Sequence, residues 1–237
     1  MFCELTPASA TINDRNKQLV NMYEQIKTNP DGVCAALYDL QRQYNEKETM
    51  DEKDALYYEF RKSFNDCLAN NADTNHSLSA ALLIFLNKAG FNGLYRINTS
   101  GMYNVPSAHR KTVKAYDKAN IMAMSKALQQ TRILCGDFAE ACKDAKEGDF
   151  VFFDSPYYDT FDTYQAGGFS EADHVRLFEL FKDLSNKGVY CMATNNNCEF
   201  IRSLYQNYHI KSTNVRRSIN CDGENRTGKE VIITNYV

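Results

Sequence analysis

The densest chemistry in the sequence is the octapeptide VFFDSPYY at residues 151–158. An apolar run delivers Asp154 to the end of a strand, and open α/β sheets bind their ligands outside the carboxyl ends of their strands. Pro156 fixes the following turn and holds Ser155 extended. Tyr157 then offers a flat aromatic face beside the carboxylate. A carboxylate, a constrained main-chain carbonyl and an aromatic plate suit a planar base with an exocyclic amine. The two oxygens accept its two N–H bonds and the ring stacks on the base. The structural alternative is a strand ending in a D-S-P turn, with the tyrosine in the core. Two more acids, Asp14 and Asp137, each follow a short apolar segment and can face one end of a sheet. The bland role for each is a turn or helix cap.

The elements that position these groups follow from the apolar periodicity. Residues 8–14 read as a strand ending in an acid. Leu19, Met22, Tyr23 and Ile26 mark a helix over 16–27, stopped by Asn29-Pro30. Residues 31–88 read as two or three amphipathic helices. Over 91–106, Gly93, Asn98, Ser100-Gly101 and Pro106 punctuate large residues, the pattern of a hairpin or ordered loop. A helix is predicted over 113–130. RILC then leads to Gly136-Asp137, and FVFF at 150–153 is a buried strand. Ser170 with Asp173 opens a helix over 170–186 as a capping box. A strand at 188–193, a helix at 198–207 and strands near 209–218 and 229–236 complete the chain. This alternation implies an α/β fold with a parallel core, an antiparallel edge and a helical insert.

Composition narrows the class. Hydrophobic residues make up 43% of 237, too many for a disordered chain. The apolar run AALLIFL at 80–86 is too short to span a membrane. The first residues do not read as a signal peptide, and the eight cysteines include no CxxC pair, so a reducing cytoplasm is the expected compartment. No Cys–His spacing supports a metal. The net charge of −3 is unevenly spread: residues 88–118 carry 6 basic and 1 acidic side chain, and 137–183 carry 4 basic and 12 acidic. Such basic segments suit a local polyanion footprint, or simply a solvated face.

The octapeptide looks like the D-P-P-Y catalytic motif of the N6-adenine DNA methyltransferases, and the chain resembles their Dam-type (D12 class) family over nearly its whole length. NGLYRIN and GMYNVP within 92–106 resemble that family's target-recognition hairpin. CGDF at 135–138 resembles the segment beneath the adenine of S-adenosylmethionine (AdoMet), and INDRN at 12–16 the strand end whose acid holds the AdoMet ribose. VRRSI at 215–219 and VIITNY at 231–236 resemble its C-terminal strands. The resemblance implies a Rossmann-like AdoMet-dependent methyltransferase sheet with a mainly helical target-recognition insert. Residues 1–30 and 113–237 would form the catalytic domain, and 31–112 the recognition domain with its hairpin at 91–106.

The resemblance further implies that an adenine is flipped out of duplex DNA, probably within GATC, in bacterial or phage restriction-modification or a related setting. Its N6 would bond Asp154 and the Ser155 carbonyl, Pro156 would hold the turn, and Tyr157 would stack on the base. Asp14 would accept from the cofactor ribose and Asp137 from its adenine amine, with Phe138 against the ring. Arg96 has the geometry to reach a guanine edge, worth roughly 1–3 kcal/mol of discrimination. Phe91 and Leu94 would pack against or wedge between bases, with Asn92 and Pro106 in the same hairpin. His109, Arg110, Lys111 and Lys114 would suit phosphates, and Arg216 and Arg217 are further DNA-contact candidates.

Two departures qualify these expectations. Ser155 replaces the family's usual proline; its carbonyl can still accept, but the added backbone freedom costs about 1 kcal/mol. The family's F-x-G-x-G turn is also absent: the first glycine is Gly32, and none of the 11 glycines forms a G-x-G. In the family that turn follows a central strand beside the one carrying Asp154. Its absence leads to the expectation of open strand edges, weak AdoMet binding by this chain alone, and a missing N-terminal segment or companion chain. The competing reading is a catalytically inactive remnant that binds DNA or a protein partner.

Overall fold

The computed structural model describes residues 2–5, 7–69, 76–159, 168–216 and 227–237. In chain order the elements are α1 (Phe2–Leu5), β1 (Ala10–Asp14), α2 (Lys17–Thr28), α3 (Pro30–Asn45), α4 (Met50–Ala69) and α5 (His76–Ala89). They continue with α6 (Lys118–Leu128), β2 (Thr131–Cys135), α7 (Phe138–Ala141), β3 (Phe150–Phe153) and α8 (Glu171–Asn186). The chain ends with β4 (Tyr190–Asn196), α9 (Glu199–Leu204), β5 (His209–Arg216) and β6 (Thr227–Thr234). No helix among the described residues is long and apolar enough to cross a membrane.

The chain divides into two compact units, one ending at Asp137 and one running from Phe138 onward. In the first, β1 and β2 form a parallel pair with Asp14 opposite Cys135. Around it pack α2 to α6, with Leu37, Tyr44, Tyr57, Phe64, Phe85 and Leu86 fully enclosed. In the second, the strand order is β3-β4-β6-β5. β3 and β4 run parallel, and β6 is antiparallel to both β4 and β5. The six described strands thus form two sheets, with a parallel pairing in each and an antiparallel edge on the second.

Local chemistry sets the ends of the helices. The Asn16 side chain accepts the amides of Gln18 and Leu19 to start α2, and Asn29 accepts that of Gly32 to start α3, where Pro30 needs no donor. The capping box expected at Ser170 and Asp173 is present in both directions.

The helix predicted from residue 113 begins only at Lys118. The reason is long-range. The Val113 N–H donates to Asn45 Oδ1 (2.9 Å), and Ala115 and Tyr116 both donate to Gln41 Oε1 (2.7 and 2.9 Å). These bonds hold 113–116 extended against α3, and Asp117 then caps α6. The same device fixes 103–110. Asn65 exchanges two hydrogen bonds with the backbone of Tyr103, the Tyr57 hydroxyl donates to the Val105 carbonyl, and the Tyr44 hydroxyl donates to that of Arg110. A segment almost without ladder partners is held in place by side chains of α3 and α4.

The core of the second unit centres on Phe181, fully buried beneath Phe153 and edge-on to Tyr205 and Tyr208. Phe181→Ala should destabilise this unit by about 3–5 kcal/mol, read as a lower urea midpoint. A loss below about 1 kcal/mol would mean that β3 does not rest on this cluster.

Candidate active site

The residues after β3 leave the sheet at its carboxyl end. Asp154 is exposed, and Ser155, Pro156 and Tyr157 are half-buried. Two neighbouring strands then fix the segment. On β4, the Thr194 hydroxyl faces Asp154 Oδ1 at 3.4 Å and also hydrogen-bonds the Tyr157 phenol. The Asn195 side chain is buried, and its oxygen takes the Tyr158 N–H at 2.8 Å, while the Asn196 amide donates to the Tyr158 carbonyl. On β6, Glu230 accepts the Tyr157 hydroxyl at 3.1 Å.

Burial raises the Tyr157 phenol above its ordinary pKa. The Thr194 hydrogen bond works the other way, and the nearby Glu230 and Asp154 carboxylates add to the rise. Tyr157 is therefore a neutral hydrogen-bond donor at physiological pH. Its ring is not sealed in the core, which removes the simplest structural alternative for this motif.

Tyr158 anchors the far side of the turn. Its ring lies 4.6 Å from that of Phe200 and edge-on to His174, and its hydroxyl donates to Glu171. His174 is 1% exposed, packs edge-on to Phe169, and has no partner for Nε2 among the described residues. Burial lowers its pKa, against weaker opposing effects of Asp173 and Glu171.

In the first unit, Asp14 and Asp137 both stand at the carboxyl end of the β1–β2 pair, half-buried. One Asp14 oxygen accepts the Asn16 amide at 2.7 Å, and the Asp14 carbonyl accepts the Gly136 amide. Tyr95 reaches this corner, its phenol hydrogen-bonded to the Asn16 side chain. Phe138 opens the second unit; the Arg176 guanidinium lies 4.2 Å from its ring centroid, and Phe169 packs at 6.2 Å. A flat ligand against Phe138 would use its other face or displace Arg176.

The 91–106 segment is a loose hairpin closed by the bridges Gly90↔Ser107 and Ile97↔Tyr103. Phe91 is 48% exposed, so it is not a core residue, whereas Leu94 packs partly against the helical core. Asn92 takes a left-handed backbone with φ 53°, and the Pro106 carbonyl accepts the Phe91 amide. Arg96 donates through Nε and Nη2 to the Asn104 side chain and carbonyl, at 2.7 and 3.2 Å. Its Nη1–Nη2 edge remains for an outside acceptor. Arg110 and Lys111 are exposed. His109 is also exposed, and Asp54 ties it to Ser107. Arg216 ends β5 opposite Thr227, and Arg217 lies outside the described residues.

Thr194, Asn195, Asn196 and Glu230 were not singled out from the sequence. The first three share one signal, a polar run, TNNN, at the carboxyl end of a strand that begins YCMA, and Glu230 has none. The described residues hold no group of three His, Cys, Asp or Glu side chains suited to a metal.

The profile of the D12 class N6 adenine-specific DNA methyltransferases matches residues 1–219. The chain is 36% identical to the Type II methyltransferase M1.LlaDCHI of Lactococcus lactis subsp. cremoris, over 100% of this chain and 82% of that one. It is 34% identical to the Type II methyltransferase M.MjaIII of Methanocaldococcus jannaschii, over 95% and 79%. It is 26% identical to a DNA adenine methylase of Salmonella typhi, over 94% and 77%. The fold class is that of a mixed α/β protein with a strand-end acidic motif. The chain belongs to the D12 class N6 adenine-specific DNA methyltransferases, a family whose reaction is AdoMet-dependent methyl transfer to DNA.

Asn195→Ala should leave the Tyr158 N–H without its partner at a cost of about 1–3 kcal/mol, and speed hydrogen exchange at Tyr158. Unchanged protection there would contradict the pinning. For His174, the unfolded chain takes up a proton as pH falls through about 6.5 and the folded chain resists it. Stability present above that pH is lost below it. His174→Leu should flatten the fall in urea midpoint between pH 7.5 and 5.5; equal slopes in both proteins would contradict it.

Proposed function

We propose that this chain is a site-specific DNA adenine N6-methyltransferase that works on an adenine flipped out of the duplex, in a short palindrome of the GATC kind. The observation that carries the reading is the grip of Thr194, Asn195, Asn196 and Glu230 on residues 154–158, which leaves Asp154 exposed beside the Tyr157 ring. Asp154 and the Ser155 carbonyl accept the two N6 protons, and Tyr157 stacks on the base. These two acceptors draw the nitrogen lone pair out of conjugation, so the amine becomes nucleophilic where it is held. Asp154 need not be a strong base, because the amine would give up its proton, to Asp154 or to water, only after it has taken the methyl group and the sulfonium C–S bond has broken to a neutral thioether.

AdoMet, when bound, supplies an electrophilic methyl group on a sulfonium. The donor set fits its nucleoside half: carboxylates suit ribose hydroxyls (Asp14) and an exocyclic amine (Asp137), and Phe138 suits a ring. Residues 31–112 serve as the recognition domain. Arg96, oriented by Asn104, reads a base edge; Phe91, with Asn92, Leu94 and Pro106, meets the bases near the flipped position. His109, Arg110, Lys111 and Lys114, together with Arg216 and Arg217, contact phosphates. A second reading, a DNA-binding remnant without transfer, is favoured by Ser155 in place of the family's usual proline.

The test is transfer of labelled methyl from AdoMet to an unmethylated GATC duplex, beside a duplex with the four bases scrambled. Asp154→Ala should reduce transfer at least about a hundredfold with duplex affinity kept. Transfer to both duplexes alike would overturn the palindrome. Duplex binding with no transfer, both by this chain and by one extended upstream through a glycine turn, would favour the remnant.

A further inference from the structure

Glu230 belongs to no motif used above, yet it touches one. It sits on β6 in register with Asn196 of β4 and Thr213 of β5. Asn196 holds the Tyr158 carbonyl while Glu230 takes the Tyr157 hydroxyl, so the paired positions of two strands grip consecutive residues of the turn. Burial raises the Tyr157 phenol above its ordinary pKa, and the Glu230 and Asp154 carboxylates add to the rise.

A tyrosine that stacks on a base needs a defined ring plane, and χ2 of tyrosine is broad unless something fixes it. The phenolic oxygen lies on the χ2 axis, but its O–H prefers the plane of the ring, so a charged acceptor that fixes the O–H direction biases that plane. We propose that Glu230 is a positioning residue for the methyl-transfer site: its carboxylate, bonded to the Tyr157 hydroxyl, sets the plane of the ring that meets the target base. This rests on the function proposed above. It adds a specific role for β6.

The test combines a spectroscopic readout that needs no activity with a double-mutant cycle. With ¹³C-labelled tyrosine and Tyr157→Phe to assign the signal, the Tyr157 titration midpoint should move downward in Glu230→Gln. In turnover, Glu230→Ala should lower kcat about tenfold and leave KM for the duplex within about twofold. Glu230→Gln, whose amide oxygen still accepts, should recover most of the rate. In a Tyr157→Phe background, which already lacks the hydroxyl, Glu230→Ala should add nothing. An unmoved Tyr157 midpoint, or the same loss from Glu230→Ala in both backgrounds, would overturn the proposal. Without a rate in the unmutated protein, the titration alone would decide the Glu230–Tyr157 link.

Discussion

A single buried amide on β4 fixes where the candidate catalytic motif of this chain points. Asn195 is 4% exposed, and its oxygen accepts the main-chain N–H of Tyr158. Leaving either group unpaired there would be costly, so the turn after Asp154 has one acceptable path. The parallel pairing of β3 with β4 brings the two segments to the same sheet end, and β6 then supplies Glu230 at the register that meets Tyr157. The geometry of D-S-P-Y thus depends on strands that follow it in the sequence. It also bears on the replacement of the family's proline by Ser155. Rigidity lost at one residue is offset by hydrogen bonds at Tyr157 and Tyr158.

The first unit solves a related problem by the same means. Residues 90–117 carry the candidate base and phosphate contacts but form only isolated bridges. Side chains of α3 and α4 satisfy their backbone groups instead: Gln41, Tyr44, Asn45, Tyr57 and Asn65. A helical insert of this kind is a frame for an irregular loop. The loop also reaches the Asp14 corner, because Tyr95 bonds Asn16 two residues beyond that acid. Arg96 follows Tyr95 directly, so a base-reading candidate and a ribose-binding candidate share one corner of this unit.

Much of this was legible in the sequence because it is local. The continuous apolar run FVFF fixed β3 and its terminal acid, the Ser170 and Asp173 spacing fixed the start of α8, and Asn29-Pro30 fixed the break between α2 and α3. What escaped was non-local. The apolar spacing of 113–117 fits a helix, and only Gln41 and Asn45, about seventy residues away, hold it extended. Glu230 lies 73 residues from Tyr157 and reads in isolation as a charged residue early in the last strand. Asn195 and Asn196 read as a strand end. Hydrogen bonds between side chain and backbone across such separations leave no periodicity to detect.

On the function proposed above, Tyr157, held from β6, is the surface on which a displaced base comes to rest. A duplex carrying 5-iodouracil in place of the target adenine, irradiated on the bound protein and followed by peptide mapping, tests it most directly. Iodouracil couples to an aromatic ring stacked on it, so the account predicts a crosslink on Tyr157 that falls with Glu230→Ala. A bound duplex that crosslinks to Phe91 or elsewhere, and not to Tyr157, would contradict it.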